Sequence, residues 1–346
     1  MARWQNDFLE CRQNKTLLPG GLGSRLHTIL PHENRPDEDV LDEVYGRFAQ
    51  SDPFLPITHF IDHATMGPEA LVGLGMGGRV EKWISRHRVR PYKAPTKGNF
   101  DPLNWKAALG RRDAHGDWLK YFETELEKKA LRDVLTLWVP RFAHDVGAFL
   151  FHGLIRTAHA VRALEHKDTP VRRGEVARGL ALWAIGIRTA PYATAKDPFL
   201  EVDVVTGILR FATVGSAVLI TDPNVPNVHL VTGPMAYMMI SQHLDQAAHE
   251  TALASFARTH ARAVRSFESL SPKTISEPIP SLDKSHFDAL SAQTDAHPIK
   301  LTEAALRAFE RTEDDIFLRA AGKAFSLHGL RGLLGIVMAM ARGGVG

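Results

Sequence analysis

Apolar residues recur at three- and four-residue spacing through most of the chain, and no stretch alternates apolar and polar side chains in the manner of a half-buried strand. This periodicity predicts helices over residues 118–129, 131–164, 173–187, 199–220, 229–267, 301–309 and 314–341. A shorter helix is expected over 68–75, where Pro68 opens the run and glycines close it. Turn formers at Pro19, Gly20, Gly21, Pro31 and Pro36 mark residues 1–50 as an extended arm. The basic stretch 79–97 reads as a solvated helix followed by a loop, and the Pro-rich piece 271–280 as a connection between two helices of one domain. The fold expected is mainly α: a single large helical domain over residues 51–346, preceded by the arm.

Composition narrows the classes. With 346 residues, 44% of them hydrophobic, the chain can bury a continuous core. Lys and Arg total 42 against 39 Asp and Glu, so the net charge of +3 gives no global field favouring nucleic acid or a membrane surface. A single cysteine, Cys11, rules out an internal disulfide and thiolate metal clusters, which fits a reducing cytoplasm. Any metal is therefore held by nitrogen and oxygen. Residues 1–7 show no apolar run after a basic start, so no secretory signal is expected. The most apolar stretch, 330–341, contains Arg331 and is shorter than the roughly 20 residues of a membrane span, so it reads as a buried core helix.

Seventeen histidines invite a metal reading, and placement has to decide it. Four lie beside strongly apolar helical segments: His63, between Phe60-Ile61 and Met66; His152, between Phe151 and Leu154-Ile155; His229, between Val228 and Leu230-Val231; and His297, before Pro298-Ile299. Any one of them is more commonly a core or capping residue. A helical di-iron site needs Glu-x-x-His pairs, and no Glu here is followed by His three residues later. His32-Glu33 and His249-Glu250 both lack the second histidine of a zincin motif. A two-histidine, one-carboxylate iron site remains open, with Asp62 or Asp295 as the carboxylate.

Other motifs carry less. Gly73 to Gly78 spells G-x-G-x-x-G, but a helix precedes it, so it reads as a helix terminus and turn rather than a dinucleotide site. His144-Asp145 is the kind of pair with which helical phosphohydrolases hold divalent metals, and it supplies a rival function. Arg79, Arg86, Arg88, Arg90 and Lys93 form a solvated face or, alternatively, an anion clamp, with too few aromatics for nucleic-acid binding. Phe149, Phe151, Trp138 and Tyr237 are candidates to line a pocket, core packing being the alternative. His27, His32, His166 and His260 have polar neighbours and are expected outside any site. A further rival is a non-catalytic helical protein whose histidines are structural.

Taken in order, several segments resemble the questin oxidase-like family, whose members include fungal enzymes that oxidatively open anthraquinone rings. The segments are Asp62-His63 through Ala70-Leu71 and Leu74-Gly75, the Trp118 and Tyr121-Phe122 helix, Phe151 to Arg156, the helix running from Arg173 to Trp183, His229 to Thr232, Asp295 to Lys300, and Ile316-Phe317-Leu318 with Ala320-Ala321. The resemblance implies an iron-dependent oxygenase acting on an aromatic or quinone, polyketide-like substrate with dioxygen, by ring cleavage or Baeyer-Villiger-type oxidation. It implies a mononuclear non-haem iron held by His63, His152, His229 and His297, together with Lys300 converted by carbon dioxide to a carbamate. Read without the family, Lys300 is a surface charge. The family also brings in NADPH as reductant, for which no nucleotide motif is present. Where fungal members tend to carry a second histidine, this chain has Arg156, one turn from His152. Arg156 either clamps an anionic substrate group or pairs with a buried carboxylate.

Overall fold

The computed structural model describes residues 40–56, 60–98, 100–187, 204–264 and 278–328. Residues 1–39 of the arm, with Cys11, His27 and His32, lie outside them, as do 271–277 of the linker and the apolar stretch 330–341. Among the described residues the chain forms α1 (Val40–Phe48), α2 (Met66–Gly73), α3 (Val80–Ile84), α4 (His115–Lys128), α5 (Leu131–Phe142), α6 (His152–His166), α7 (Pro170–Gly186), α8 (Val204–Thr221), α9 (Val225–Ser241), α10 (Gln246–Val264), α11 (Lys284–Ala292), α12 (His297–Thr312) and α13 (Ile316–Gly322). Extended backbone among these residues amounts to isolated bridges. The molecule is mainly α, as the periodicity predicts.

Several boundaries differ from expectation. The end of the supposed arm is helical: Leu41, Val44, Tyr45 and Phe48 of α1 share one face and are buried. Asp42 accepts a hydrogen bond from Arg172 Nε at 2.7 Å, tying α1 to α7. The continuous helix expected over 131–164 is broken into α5 and α6 by a turn in which Phe149, Leu150 and Phe151 all have positive φ. The stretch 229–267 likewise divides, with Asp245 Oδ1 accepting from Ala248 N at 2.8 Å to start α10. α9 begins earlier than expected because Asn224 caps Asn227 N at 2.9 Å and Pro226 occupies the first turn. Pro298 opens α12 in the same way, four residues ahead of the expected start. α13 ends at Gly322 and is followed by a tight turn at Lys323–Phe325.

The basic stretch is not a solvated helix either. Val80, Trp83 and Ile84 of α3 are buried. Arg79 pairs with Asp288 at 2.5 Å, and Arg86 Nη1 donates to the carbonyls of Ser291 and Ala292 at the end of α11. These cations bind structure, not an anion.

Two apolar clusters form the core, and α6 and α9 serve both. Leu154, Ile155 and Ala158 of α6 pack with Tyr237 and Ile240 of α9 against α4, α5, α7 and α10. Ala163 of α6, with Val228, Val231 and Met235 of α9, faces α1, α2, α8, α12 and α13. Around this partition α6 packs on α9, α9 on α12, α12 on α2, and α2 closes the ring on α6.

Candidate metal centre

The ring formed by α2, α6, α9 and α12 brings four histidines together at one end. His152 and His297 are the first residues of their helices, His229 lies in the second turn of α9, and His63 sits in the turn ahead of α2, where its carbonyl accepts from Met66 N and Gly67 N at 3.1 and 3.0 Å. His152 is set by the left-handed turn before it, with φ of 51°, 55° and 63° at Phe149, Leu150 and Phe151. Each non-glycine residue there costs about 1–2 kcal/mol, the kind of strain that clusters at functional sites. Beside it, Gly153 lets α6 touch α7, since a Cβ at this position would stand 2.6 Å from Trp183 Cα.

Three of the rings are held by Nδ1. His152 Nδ1 donates to the Phe149 carbonyl, His229 Nδ1 to the Val225 carbonyl at 3.0 Å, and His297 Nδ1 to Asp295 Oδ1 at 2.7 Å. A proton fixed on Nδ1 leaves the Nε2 lone pair as the ligand atom, the outer-shell arrangement that orients metal-binding imidazoles. The Nε2 atoms do converge: His63 and His152 are 2.6 Å apart, and His152 and His229 3.3 Å. Nitrogens each about 2.0–2.1 Å from one cation stand roughly 2.9–3.4 Å apart, a spacing the His152–His229 pair matches, while His63 and His152 stand closer than two ligands of one ion would. Ligand atoms of His63, His152 and His297 all lie within 4.8 Å of one another, a group that can hold a metal ion. The His297 ring is 4.4 Å from that of His63 and 5.2 Å from that of His229.

Burial keeps the four imidazoles neutral. It pushes the pKa of His63, His152, His229 and His297 below the usual histidine value, and a charged Lys300 would push each further the same way. Helix N-termini beside His152 and His297 oppose protonation too. Lys300, one turn along α12 from His297, is 1% exposed, and its Nζ has no hydrogen-bond partner among the described residues; the same is true of His297 Nε2. Burial brings the Lys300 amine down to about 7, against an opposing pull from Asp295. An unpartnered amine in such a position is costly unless something occupies the space in front of it.

The other candidates separate from this group. Asp62 is no ligand, because Oδ2 meets Arg90 Nη2 at 2.5 Å and Oδ1 accepts from Ala64 N at 2.8 Å. Asp295 orients His297. Arg156 forms a two-pronged pair with the buried Glu175, Nε to Oε1 at 2.8 Å and Nη2 to Oε2 at 3.3 Å. His144 Nδ1 donates to the Arg141 carbonyl at 2.9 Å, and among the described residues no third ligand joins it and Asp145. Gly73 ends α2, and Gly75 follows at φ 70° with no strand before it. Trp138 and Tyr237 are core: Trp138 packs edge-on against Trp118, and Tyr237 donates to the His249 carbonyl at 3.0 Å. His166 is exposed, but His260, expected among polar surroundings, is 1% exposed and bonded to the Leu230 carbonyl.

Sequence reasoning missed a buried ionic network one to two turns below the histidines. Glu69 of α2 accepts from His159 Nδ1 and from Arg162 Nε and Nη2, the latter two at 2.6 Å. Arg162 also meets Glu303 of α12, which accepts from Arg307 Nε at 2.9 Å. Arg307 in turn reaches the Met235 carbonyl of α9 at 2.9 Å. Seven-residue spacing of His159 from His152 and three-residue spacing of Glu303 from Lys300 are the signals that placed these groups on the inward faces. Compared with protein-family models and with curated proteins, the chain matches none.

Proposed function

We propose that His63, His152, His229, His297 and Lys300 hold a single iron ion, and that the protein is an iron-dependent oxygenase of the questin oxidase-like kind, acting on an aromatic or quinone substrate. The observation that carries this reading is the convergence of four neutral imidazoles, near enough to a buried, unpartnered lysine amine that its charge would act on all of them. When bound, iron supplies one-electron and dioxygen chemistry that no side chain of the site provides.

The chain's own groups fix the ion's surroundings. Four neutral nitrogens leave a divalent charge uncompensated, and helix N-termini add positive potential, so an anionic fifth ligand is favoured. Lys300 can provide it: its neutral Nζ adds to the carbon of carbon dioxide, one proton leaves, and the carbamate oxygen carries the negative charge. Burial, which lowers the amine pKa to about 7, maintains the neutral nucleophile this step needs. Asp295, Phe149 and Val225 keep three rings from rotating. NADPH as reductant rests on the family resemblance alone.

The test is elemental analysis of protein purified without a metal-binding tag, followed by oxygen uptake with hydroxylated anthraquinones. About one iron per chain is expected, with an intact mass heavier by one carbon dioxide. Lys300→Met, of similar length, should keep the helical circular dichroism and lower iron affinity about tenfold or more. A wild-type protein without stoichiometric transition metal, or a His152→Ala variant with undiminished metal, would overturn the site. Manganese-dependent phosphate release without oxygen uptake would move the activity to hydrolysis.

A further inference from the structure

The four candidate ligands are not held alike. The Nδ1 bonds that fix His152, His229 and His297 have no counterpart at His63 among the described residues, and His63 is half-buried where the other three are buried. Its ring lies nearly parallel to that of His152, tilted by 7° with centroids 4.8 Å apart, and the two Nε2 atoms are 2.6 Å from each other. Two nitrogens that share a cation at about 2.0–2.1 Å need roughly 2.9–3.4 Å between them. One ring therefore has to turn away as an ion enters. His152 is fixed by its bond to the Phe149 carbonyl and by the left-handed turn before it, so the ring that turns is that of His63.

The backbone of His63, by contrast, is pinned on both sides. Asp62 N donates to the Pro53 carbonyl at 2.8 Å, and the His63 carbonyl accepts from Met66 N and Gly67 N. Asp62 Oδ1 accepts from Ala64 N at 2.8 Å, closing a turn around His63, while Oδ2 meets Arg90 Nη2 at 2.5 Å. The same Nη2 reaches the carbonyls of Asp52 and Phe54 at 2.9 and 3.2 Å. Arg90 N donates to Ser51 Oγ at 3.1 Å, and its carbonyl accepts from Asp52 N at 2.7 Å. One guanidinium thus ties residues 52 and 54 to the carboxylate immediately ahead of the ligand. A charge-assisted clamp of this kind fixes where the ring pivots without fixing the ring.

We propose that His152, His229 and His297 receive the ion and that His63 closes on it last, turning about a backbone that Arg90 holds, which makes Arg90 a positioning residue for the fourth ligand. The inference rests on the metal-centre reading, but not on which metal is bound or on what it catalyses. Three preset nitrogens decide whether an ion binds, and the fourth decides how tightly. Without Arg90 the turn carrying His63 has more freedom to lose on binding, so affinity falls through that ligand alone.

Cobalt(II), whose visible absorption reports its ligands, tests this by titration into metal-stripped protein. His63→Ala should still take up one cobalt per chain, more weakly than wild type and with a changed spectrum, whereas His152→Ala should take up none at the same concentrations. Arg90→Ala should weaken binding about tenfold in the wild type and equally in a Lys300→Met background, but leave the affinity of His63→Ala unchanged. Asp62→Asn loosens the same clamp with little change of shape and should repeat the pattern in case Arg90→Ala folds poorly. A loss of the same size in the His63→Ala background would assign Arg90 to the fold at large. That result, no loss in the wild-type background with either variant, or a His63→Ala protein as empty as His152→Ala overturns the proposal and leaves the metal centre standing. Wild-type protein that takes up no cobalt overturns both.

Discussion

Leu150 stands at φ 55° between two phenylalanines that are also left-handed, immediately before a candidate ligand. Three such residues in a row persist only if the surroundings over-determine them, and here the Phe149 carbonyl is bonded by His152 Nδ1 while Phe149 and Phe151 pack against Phe54 and Phe256. Leu150→Gly relieves about 1–2 kcal/mol of strain and adds roughly 0.5–1 kcal/mol of unfolded-state freedom. The expected outcome is a net stabilisation of about 0.5–1 kcal/mol by urea titration, together with weaker metal retention as the ring of His152 loosens. Because the half-buried Leu150 side chain is lost too, Leu150→Ala is the reference, and a Leu150→Gly protein less stable than Leu150→Ala would show that the turn holds no strain. His152 itself was legible in the sequence from its apolar neighbours; the positive φ angles that aim it were not, because no glycine or asparagine marks them.

At the scale of an element, α9 contains Pro234, which has no N–H to give the Leu230 carbonyl four residues earlier. His260 of α10 replaces the missing donor, with Nε2 3.1 Å from that oxygen. Gly215 of α8 lies against the same carbonyl, where a Cβ would come within 2.1 Å. Leu230 adjoins His229, so this repair holds the backbone of a candidate ligand. His260→Ala leaves a buried carbonyl unpaired and should cost roughly 1–3 kcal/mol. In a Pro234→Ala background, where the helix makes its own bond, the same change should cost about 1 kcal/mol less, a coupling that a double-mutant cycle reads directly. Identical costs in both backgrounds would refute the pairing.

Across the whole molecule, Glu69, His159, Arg162, Glu303 and Arg307 lock α2, α6, α9 and α12 below the histidines. Burial opposes ionisation of Glu69, but Arg162 and His159 outweigh it and hold its pKa at about 2; against the same penalty, Arg162 and Arg307 hold Glu303 well below the usual carboxylate value. Glu303→Ala would take the carboxylate from Arg307 and leave Arg162 with Glu69 alone, and should cost roughly 3 kcal/mol in denaturant unfolding. Acid should weaken the fold before these carboxylates protonate. His260 is depressed by burial from 6.5 to about 4, so the unfolded chain binds more protons as pH falls through this window. Its share of stability is therefore lost from about pH 6.5 downward, approaching roughly 3 kcal/mol at pH 4. His260→Gln keeps a donor without titrating, and urea unfolding between pH 7 and 4.5 should show a shallower slope for it than for the wild type.

Helical architecture and the four histidine positions follow from the sequence alone, because periodicity and the apolar setting of His63, His152, His229 and His297 are properties of near neighbours along the chain. Burial of charge is not. Lys300 and His260 read as solvated from their neighbours, yet α12 turns Lys300 inward, and His260 is enclosed by α9 and α8. Arg156 finds Glu175 on the next helix, and Arg162 finds Glu303 141 residues away. Helix formation is set by bonds four residues apart, whereas a buried polar group is stable only beside a counter-group that packing delivers from another element. The ring of α2, α6, α9 and α12 therefore decided which polar residues became a site, and the left-handed turn before His152 and the amine of Lys300 gained their meaning only there.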